Sequence, residues 1–309
     1  MSGSKTSTPD GAVVAYLADA RARVDAVLQS WGVRAGEWWQ APVPAAMRYS
    51  LLSTGKRLRP TLVFAAAEAV GGGVAAERVA DLAAAVEVVH AYSLVHDDLP
   101  CMDNDDLRRG RATTHRAFDV ATAVVAGYHM VALGARVLDA GLAALALAPE
   151  ARRGIALELF RAAGAGGMIG GQALDLAAEG RRLPATELED VHRRKTGALI
   201  SAACVIGAMA AGAPGAACEA LRGYGADVGL AFQVYDDVLD ATATSDQLGK
   251  TAGRDAALAK STFVTLLGVG AARAEAERLA AQAVDRLRQE GVVSPMLVEL
   301  AHYIVTRPN

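Results

Sequence analysis

The chain has 309 residues, with 31 Lys+Arg against 34 Asp+Glu and a formal net charge of −3; this even balance excludes a nucleic-acid-binding surface of the usual basic kind. Hydrophobic residues make up 52% of the sequence, which excludes global disorder and supplies a sizeable core. Aromatics are only 5% while alanine is abundant, a bias toward helices packed closely through small side chains.

In chain order, the polar start MSGSKTSTPDG has no apolar signal core and predicts a disordered leader over 1–9. Helical periodicity then dominates, with helices expected at 10–32, 42–53, 58–71, 76–98, 116–141, 149–164, 168–177, 185–211, 215–240, 255–268, 270–290 and 294–306. Breaks are expected at Gly71-Gly72-Gly73, Leu99-Pro100, Gly110, Pro149, Gly180 to Pro184 and Gly212 to Gly215. No run alternates like a strand and no stretch reads as a linker. The pattern predicts an all-α protein: one large helical bundle forming a single domain over 10–309. Thr196 to Cys218 carries no charge and is long enough to span a bilayer. It is rich in Ala and Gly and is broken near Gly212, so it reads as a buried core helix, and no transmembrane segment is expected. Cys101, Cys204 and Cys218 are odd in number and lack metal-ligand spacing, which suits reduced thiols in a cytoplasmic protein.

Two acidic segments adjoin very apolar helices: His96-Asp97-Asp98-Leu99-Pro100-Cys101-Met102-Asp103-Asn104-Asp105-Asp106, and Asp236-Asp237-Val238-Leu239-Asp240. Carboxylates at a helix C-terminus oppose the macrodipole and repel one another, so the placement is unfavourable unless a cation offsets it. Asp236 and Asp240 are four apart and share a face. Four after Asp97 comes Cys101, which is no oxygen ligand; Pro100 and an outward loop of two extra residues would return Asp103 to the face of Asp97. Oxygen-only ligands suit Mg²⁺ better than an EF-hand Ca²⁺, whose spacing and turn glycine are missing. The cations that could meet phosphate lie in Gly55-Lys56-Arg57-Leu58-Arg59-Pro60, Leu107-Arg108-Arg109-Gly110-Arg111, Lys195-Thr196-Gly197, Gly249-Lys250 and Lys260-Ser261-Thr262. The Gly55-Lys56 pair is no P-loop, since the upstream glycine, the following Ser/Thr and the strand are absent. His90 and His96 are no zinc pair, and each taken alone reads as a hydrogen-bonded core histidine. Gln172 and Gln233 taken alone read as members of buried networks.

Together these pieces resemble the trans-polyprenyl diphosphate synthase family, from about Met47 to the C-terminus: GKRLRP at 55–60, HAYSLVHDDLPCMDNDDLRRG at 90–110, GGQALDL at 170–176, HRRKTGALI at 192–200, FQVYDDVLD at 232–240, and LGKTAGRD with AKST up to 262. The Asp97-Asp98-xxxx-Asp103 spacing resembles bacterial farnesyl diphosphate synthases and some geranylgeranyl diphosphate synthases. The resemblance implies an isoprenoid synthase fold around a central apolar cavity, and usually a homodimer. It implies that Asp97, Asp98 and Asp103, with Asp236, Asp237 and Asp240, hold about three Mg²⁺ on an allylic diphosphate. Arg108, Lys195, Thr196, Gln233, Lys250 and Lys260 would contact that diphosphate, and Lys56, Arg59, His90 and Arg109 would hold isopentenyl diphosphate. Val264 stands where relatives often have proline. Tyr92 lies five residues before Asp97, about 7.5 Å along a helix, and Ser93 lies four before. In relatives an aromatic at the first of these, with the two-residue insertion, accompanies a C15 product, so farnesyl diphosphate is expected and geranylgeranyl diphosphate is the alternative. A terpene cyclase would not need the second basic set, and a non-catalytic partner subunit would lack one aspartate segment.

Overall fold

The computed structural model describes residues 11–242 and 261–307; the leader and both Lys250 and Lys260 lie outside them. The helices are α1 (Gly11–Trp38), α2 (Val43–Leu51), α3 (Leu58–Glu77), α4 (Ala80–Asp97), α5 (Thr114–Ala117), α6 (Val120–Ala144), α7 (Pro149–Ala163), α8 (Met168–Ala177), α9 (Ala185–His192), α10 (Ala198–Ala210), α11 (Gly215–Thr242), α12 (Phe263–Leu267), α13 (Val269–Gln289) and α14 (Pro295–Thr306). The fold is all-α.

The starts of these helices follow local chemistry. Asp119 caps α6 by accepting from the Thr122 backbone N–H at 2.7 Å. Ser294 caps α14 ahead of Pro295 at its first position, and Thr262 with Thr265 forms a capping box at α12. Each satisfies backbone donors that an open helix start leaves without partners.

Helices α4 and α10 are apolar on nearly every side. Every residue from Leu82 to Val89 and from Leu199 to Ala208 is buried, the mark of helices surrounded by others. Helix α4 packs between α6 and α3, α10 packs against α3, α11 and α7, and α13 covers α11. Alanine-rich faces let these axes approach closely. The long bearing helices α4 and α11 end at Asp97 and Thr242, so their C-terminal portions deliver the two acidic segments.

Three expectations are corrected. Helix α3 runs through Gly71-Gly72-Gly73 to Glu77, because packing on α10 outweighs the cost of glycine in a helix interior. The helix expected over 185–211 is three pieces: α9, a π-helical turn at Arg193–Gly197, and α10. Strand is present: Leu107–Arg108 (β1) pairs antiparallel with Arg111–Ala112 (β2). Its turn residues, Arg109 and Gly110, have φ of 54° and 74°, as a tight two-residue hairpin turn requires.

The uncharged stretch after Thr196 folds into α10, whose 13 residues span about 20 Å, short of a bilayer core of about 30 Å. Among the described residues one helix, α6, is long and apolar enough to cross a membrane; its inner face is packed on α4 and α2.

Candidate active site

Both acidic segments open onto one cavity of about 1250 Å³. Asp97, Asp103 and Asp105 line it from the end of α4 and the loop beyond, and Asp236 and Asp237 line it from α11. The loop returns as a compact turn. The Asp103 N–H donates to the Asp97 carbonyl at 2.8 Å, and the Asn104 and Asp105 N–H groups donate to Leu99 and Asp98 at 3.0 and 3.2 Å. Pro100 and Cys101 are left outside, exposed.

The carboxylates differ in what they touch. Asp97 is half-buried, and burial raises its pKa to about 6, with Asp103 and Asp98 adding to the rise and Lys195 and Arg108 opposing it. Asp98 is buried and outside the lining; it accepts from Arg108 Nε at 2.6 Å. Asp237 is buried and accepts from the Phe263 N–H at 2.8 Å, which ties α12 to α11. Asp236 pairs with Arg307, whose guanidinium lies 4.3 Å from the centre of the Phe232 ring. Asp240 is half-buried one turn after Asp236 and outside the lining.

Basic groups face these acids around the same cavity. Lys56, Arg59, His90, Arg108, Arg109, Lys195, Thr196 and Gln233 all line it. Burial lowers the Lys56 pKa, with Arg307 the largest charge acting the same way. Burial also holds His90 well below the usual imidazole value, with Arg59, Arg109 and Arg108 adding to the effect, so the ring is neutral at pH 7. The cavity therefore has a cationic side suited to phosphate-sized anions and an acidic side suited to cations, with Lys195 and Arg108 already held by Asp175 and Asp98.

The π-helical turn explains how Lys195 and Thr196 reach the cavity. One extra residue in the turn rotates the chain between α9 and α10, a device common at functional sites. Helix α8 crosses tightly here: a Cβ on Gly171 would lie 2.2 Å from the Lys195 backbone nitrogen, so only glycine fits. Lys195 Nζ donates to Asp175 at 2.6 Å, and Thr196 Oγ1 donates to Gln233 at 3.0 Å. Gln172, by contrast, is buried with neither amide atom hydrogen-bonded among the described residues.

Tyr92 and Ser93 do not line the cavity. The Tyr92 ring is buried, edge-on to His96 at 5.8 Å, and Ser93 Oγ donates to the His90 carbonyl at 2.8 Å. His96 turns away to Val124 on α6, 3.1 Å from its carbonyl oxygen. Several cavity residues have no role assigned from the sequence: Asp25, Glu87, Asp175, His192, Tyr303 and Arg307. Asp175 sits inside the GGQALDL motif and could have been found there; Asp25 and Arg307 lie far from any motif.

The arrangement can grip an anion from two directions. Among the described residues no group of three acidic, His or Cys side chains forms a ready metal cage; the carboxylates come from two sides and leave room for a bridging ligand. Oxygen-only donors in this form fit Mg²⁺, which keeps waters and shares substrate phosphates.

The comparisons agree with this geometry. The family model for polyprenyl synthetase matches residues 40–300. Farnesyl diphosphate synthase of Escherichia coli strain K12 is 45% identical over 271 residues, covering 86% of this chain and 89% of that protein. The chloroplastic geranylgeranyl pyrophosphate synthase 9 of Arabidopsis thaliana is 43% identical over 275 residues, covering 86% and 74%. Among solved structures, a Helicobacter pylori geranyltransferase complexed with magnesium and isoprenyl diphosphate superposes with a TM-score of 0.80 at 31% identity, covering 96% and 97%. An FPP/GFPP synthase from Zymomonas mobilis superposes at 0.76 with 36% identity, covering 94% and 99%. With its paired acidic segments and separate cationic wall in one cavity, the chain belongs to the polyprenyl synthetase family.

Proposed function

We propose that this chain is a Mg²⁺-dependent trans-prenyltransferase that joins an allylic diphosphate to isopentenyl diphosphate and releases farnesyl diphosphate as its main product. The observation that carries this reading is the convergence of two aspartate-bearing helix ends and two distinct cation sets on a single cavity. Residues 10–309 form the catalytic unit. The relatives named above include both farnesyl and geranylgeranyl diphosphate synthases, and geranylgeranyl diphosphate is the second reading.

Asp97, Asp98 and Asp103 on one side, and Asp236, Asp237 and Asp240 on the other, would hold about three Mg²⁺. When bound, the ions offset charge on the departing diphosphate and favour cleavage of its C–O bond. Lys195, Arg108, Thr196 and Gln233 orient the allylic diphosphate, with Lys250 and Lys260 assigned to it from their motifs. Lys56, Arg59, His90 and Arg109 hold isopentenyl diphosphate so that its alkene faces the carbon losing the leaving group. A C–C bond forms there, and one proton is lost to the released diphosphate; no lining side chain is assigned as its base. Leu94 of α4 and Phe232 of α11 are the apolar residues these helices offer against water at the electron-poor carbon.

From the resemblance, Tyr92 is assigned as the floor that a growing tail reaches beyond the present lining, with Ser93 beside it. The protein is read as a cytoplasmic homodimer. Support comes from three cysteines that are all free thiols and from Val120, Val125 and Tyr128, which lie exposed along α6. Incubation with Mg²⁺, isopentenyl diphosphate and C5, C10 or C15 allylic diphosphates, followed by chromatography, tests the reading. Growth that stops at C15 supports it, and Tyr92→Ala should then lengthen the product. Cyclic hydrocarbons from a lone C15 substrate would overturn it in favour of a cyclase.

A further inference from the structure

Between Lys56 and Arg59 stands Arg57, which is 4% exposed although it sits in a basic loop on a large cavity. Its guanidinium is committed to four acceptors inside the protein. Nε donates to Asp25 at 2.9 Å, Nη1 donates to Glu87 at 2.7 Å, and Nη2 donates to the carbonyls of Leu51 and Ser53 at 2.8 and 3.1 Å. A side chain so engaged has little capacity left for a substrate. Its backbone is equally constrained: φ is 49° and ψ is 37°, a left-handed conformation that L-residues rarely adopt. The Arg57 carbonyl also receives both the N–H and the hydroxyl of Thr61 at 3.0 and 2.8 Å, which closes the first turn of α3.

This strained residue divides the loop into two arms. Lys56 leaves on one side, and Arg59 starts the helix on the other. From above, Arg109 lies over the loop and donates to the Thr54 carbonyl at 2.9 Å. A Cβ on Gly55 would lie 2.4 Å from that guanidinium, so glycine is what lets Arg109 settle there. From below, Glu87 is 3% exposed and lies three residues before His90 on α4, hence on the same helix face. Burial lowers Arg59 to about 10, with Glu87 the strongest charge opposing the drop and Arg109 adding to it. One buried carboxylate thus faces Arg57, Arg59 and Arg109 together.

We propose that the Arg57–Glu87 ion pair is the positioning device of the isopentenyl diphosphate site. It clamps the left-handed turn that aims Lys56 and Arg59 into the cavity beside His90 and Arg109, and Glu87 offsets the mutual repulsion of Arg57, Arg59 and Arg109 until the diphosphate arrives. Arg57 and Glu87 are positioning residues, since both are buried and they bond each other. This rests on the prenyltransferase reading above.

The test measures the two substrates separately. Isopentenyl diphosphate binding is followed by calorimetry without Mg²⁺, because a diphosphate held by Lys, Arg and His needs no metal. KM is then measured for isopentenyl diphosphate and for geranyl diphosphate in the wild type, Arg57→Lys and Glu87→Gln. Glu87→Gln keeps an acceptor of the same shape, so it serves if Arg57 variants do not fold. Expected is a loss of isopentenyl diphosphate affinity of about tenfold in both variants, with KM for geranyl diphosphate changed less than twofold. Unchanged isopentenyl diphosphate affinity overturns the inference, and so does a parallel loss for both substrates, which would show general loosening. A wild-type protein that neither binds nor consumes isopentenyl diphosphate overturns the prenyltransferase reading itself.

Discussion

Replacing Arg108 by alanine isolates the one carboxylate of the first acidic segment that the fold buries. Asp98 has a side chain 4% exposed and lies 2.6 Å from the Arg108 guanidinium, whose own side chain is 32% exposed. Losing one partner of a buried ion pair costs about 3–5 kcal/mol, because the other charge stays desolvated and unpaired. Arg108 is partly open to water, which screens the pair, and Asp98 also has other interactions. A loss of about 2–3 kcal/mol is therefore expected. For a chain of this size that lowers Tm by roughly 4–10 °C. Differential scanning calorimetry of the metal-free protein measures it, since loss of turnover alone would not separate this effect from loss of a phosphate contact. Adding Asp98→Asn to Arg108→Ala should restore part of the Tm, because the stranded charge is gone. If Arg108→Ala melts within 1 °C of wild type, or if the second substitution lowers Tm further, the argument from an uncompensated buried charge is wrong.

The depressed pKa of His90 gives a stability that changes with pH. The unfolded chain binds the proton from about pH 6.5 downward while the folded site resists it. The His90 contribution should therefore fall as pH drops below about 6.5, by up to about 1.4 kcal/mol per unit, while Asp97, with its pKa raised to about 6, contributes in the opposite sense. His90→Gln should remove the falling component, so its urea-unfolding stability relative to wild type should rise from pH 7 to 5; equal slopes would contradict this. Gly171→Ala forces a methyl into the Lys195 backbone, so a loss of about 1–3 kcal/mol and a marked drop in turnover are expected from thermal melts and the condensation assay. Chelating Mg²⁺ should abolish turnover yet leave the fold intact by circular dichroism. Lys195, Arg307 and Arg108 already stand against Asp175, Asp236 and Asp98, so the acidic walls are not bare without metal.

Much of this was legible from sequence because helix signals and motif spacing are local. The boundaries of α8, 168–177, are those that its flanking glycines and apolar run imply. The return of the loop after Asp97 could be anticipated because proline at 100 forbids a regular helix and two further residues must go somewhere. What could not be read depends on contacts between distant segments. The π-helical turn at Arg193–Gly197 leaves no mark in the periodicity of 185–211; it lies where the backbone of α8 packs closely, with Gly171 against Lys195. Arg57 looks like a third substrate cation beside Lys56 and Arg59, and only Asp25 and Glu87, 32 and 30 residues away, reveal it as internal. Arg307 carries no motif, and its place on Asp236 follows from the docking of α14 near the end of α11. Tyr92 shows the limit from the other side: its place below Asp97 rests on the resemblance, and its ring packs edge-on to His96.

The most direct test is a crystal structure with Mg²⁺ and a non-hydrolysable allylic thiodiphosphate. One diphosphate, with ions between it and both the Asp97/Asp103 side and the Asp236 side, is the predicted result, with Arg307 displaced from Asp236. A diphosphate and its ions engaged by one acidic segment alone, with the other still closed on its arginine, would contradict the account.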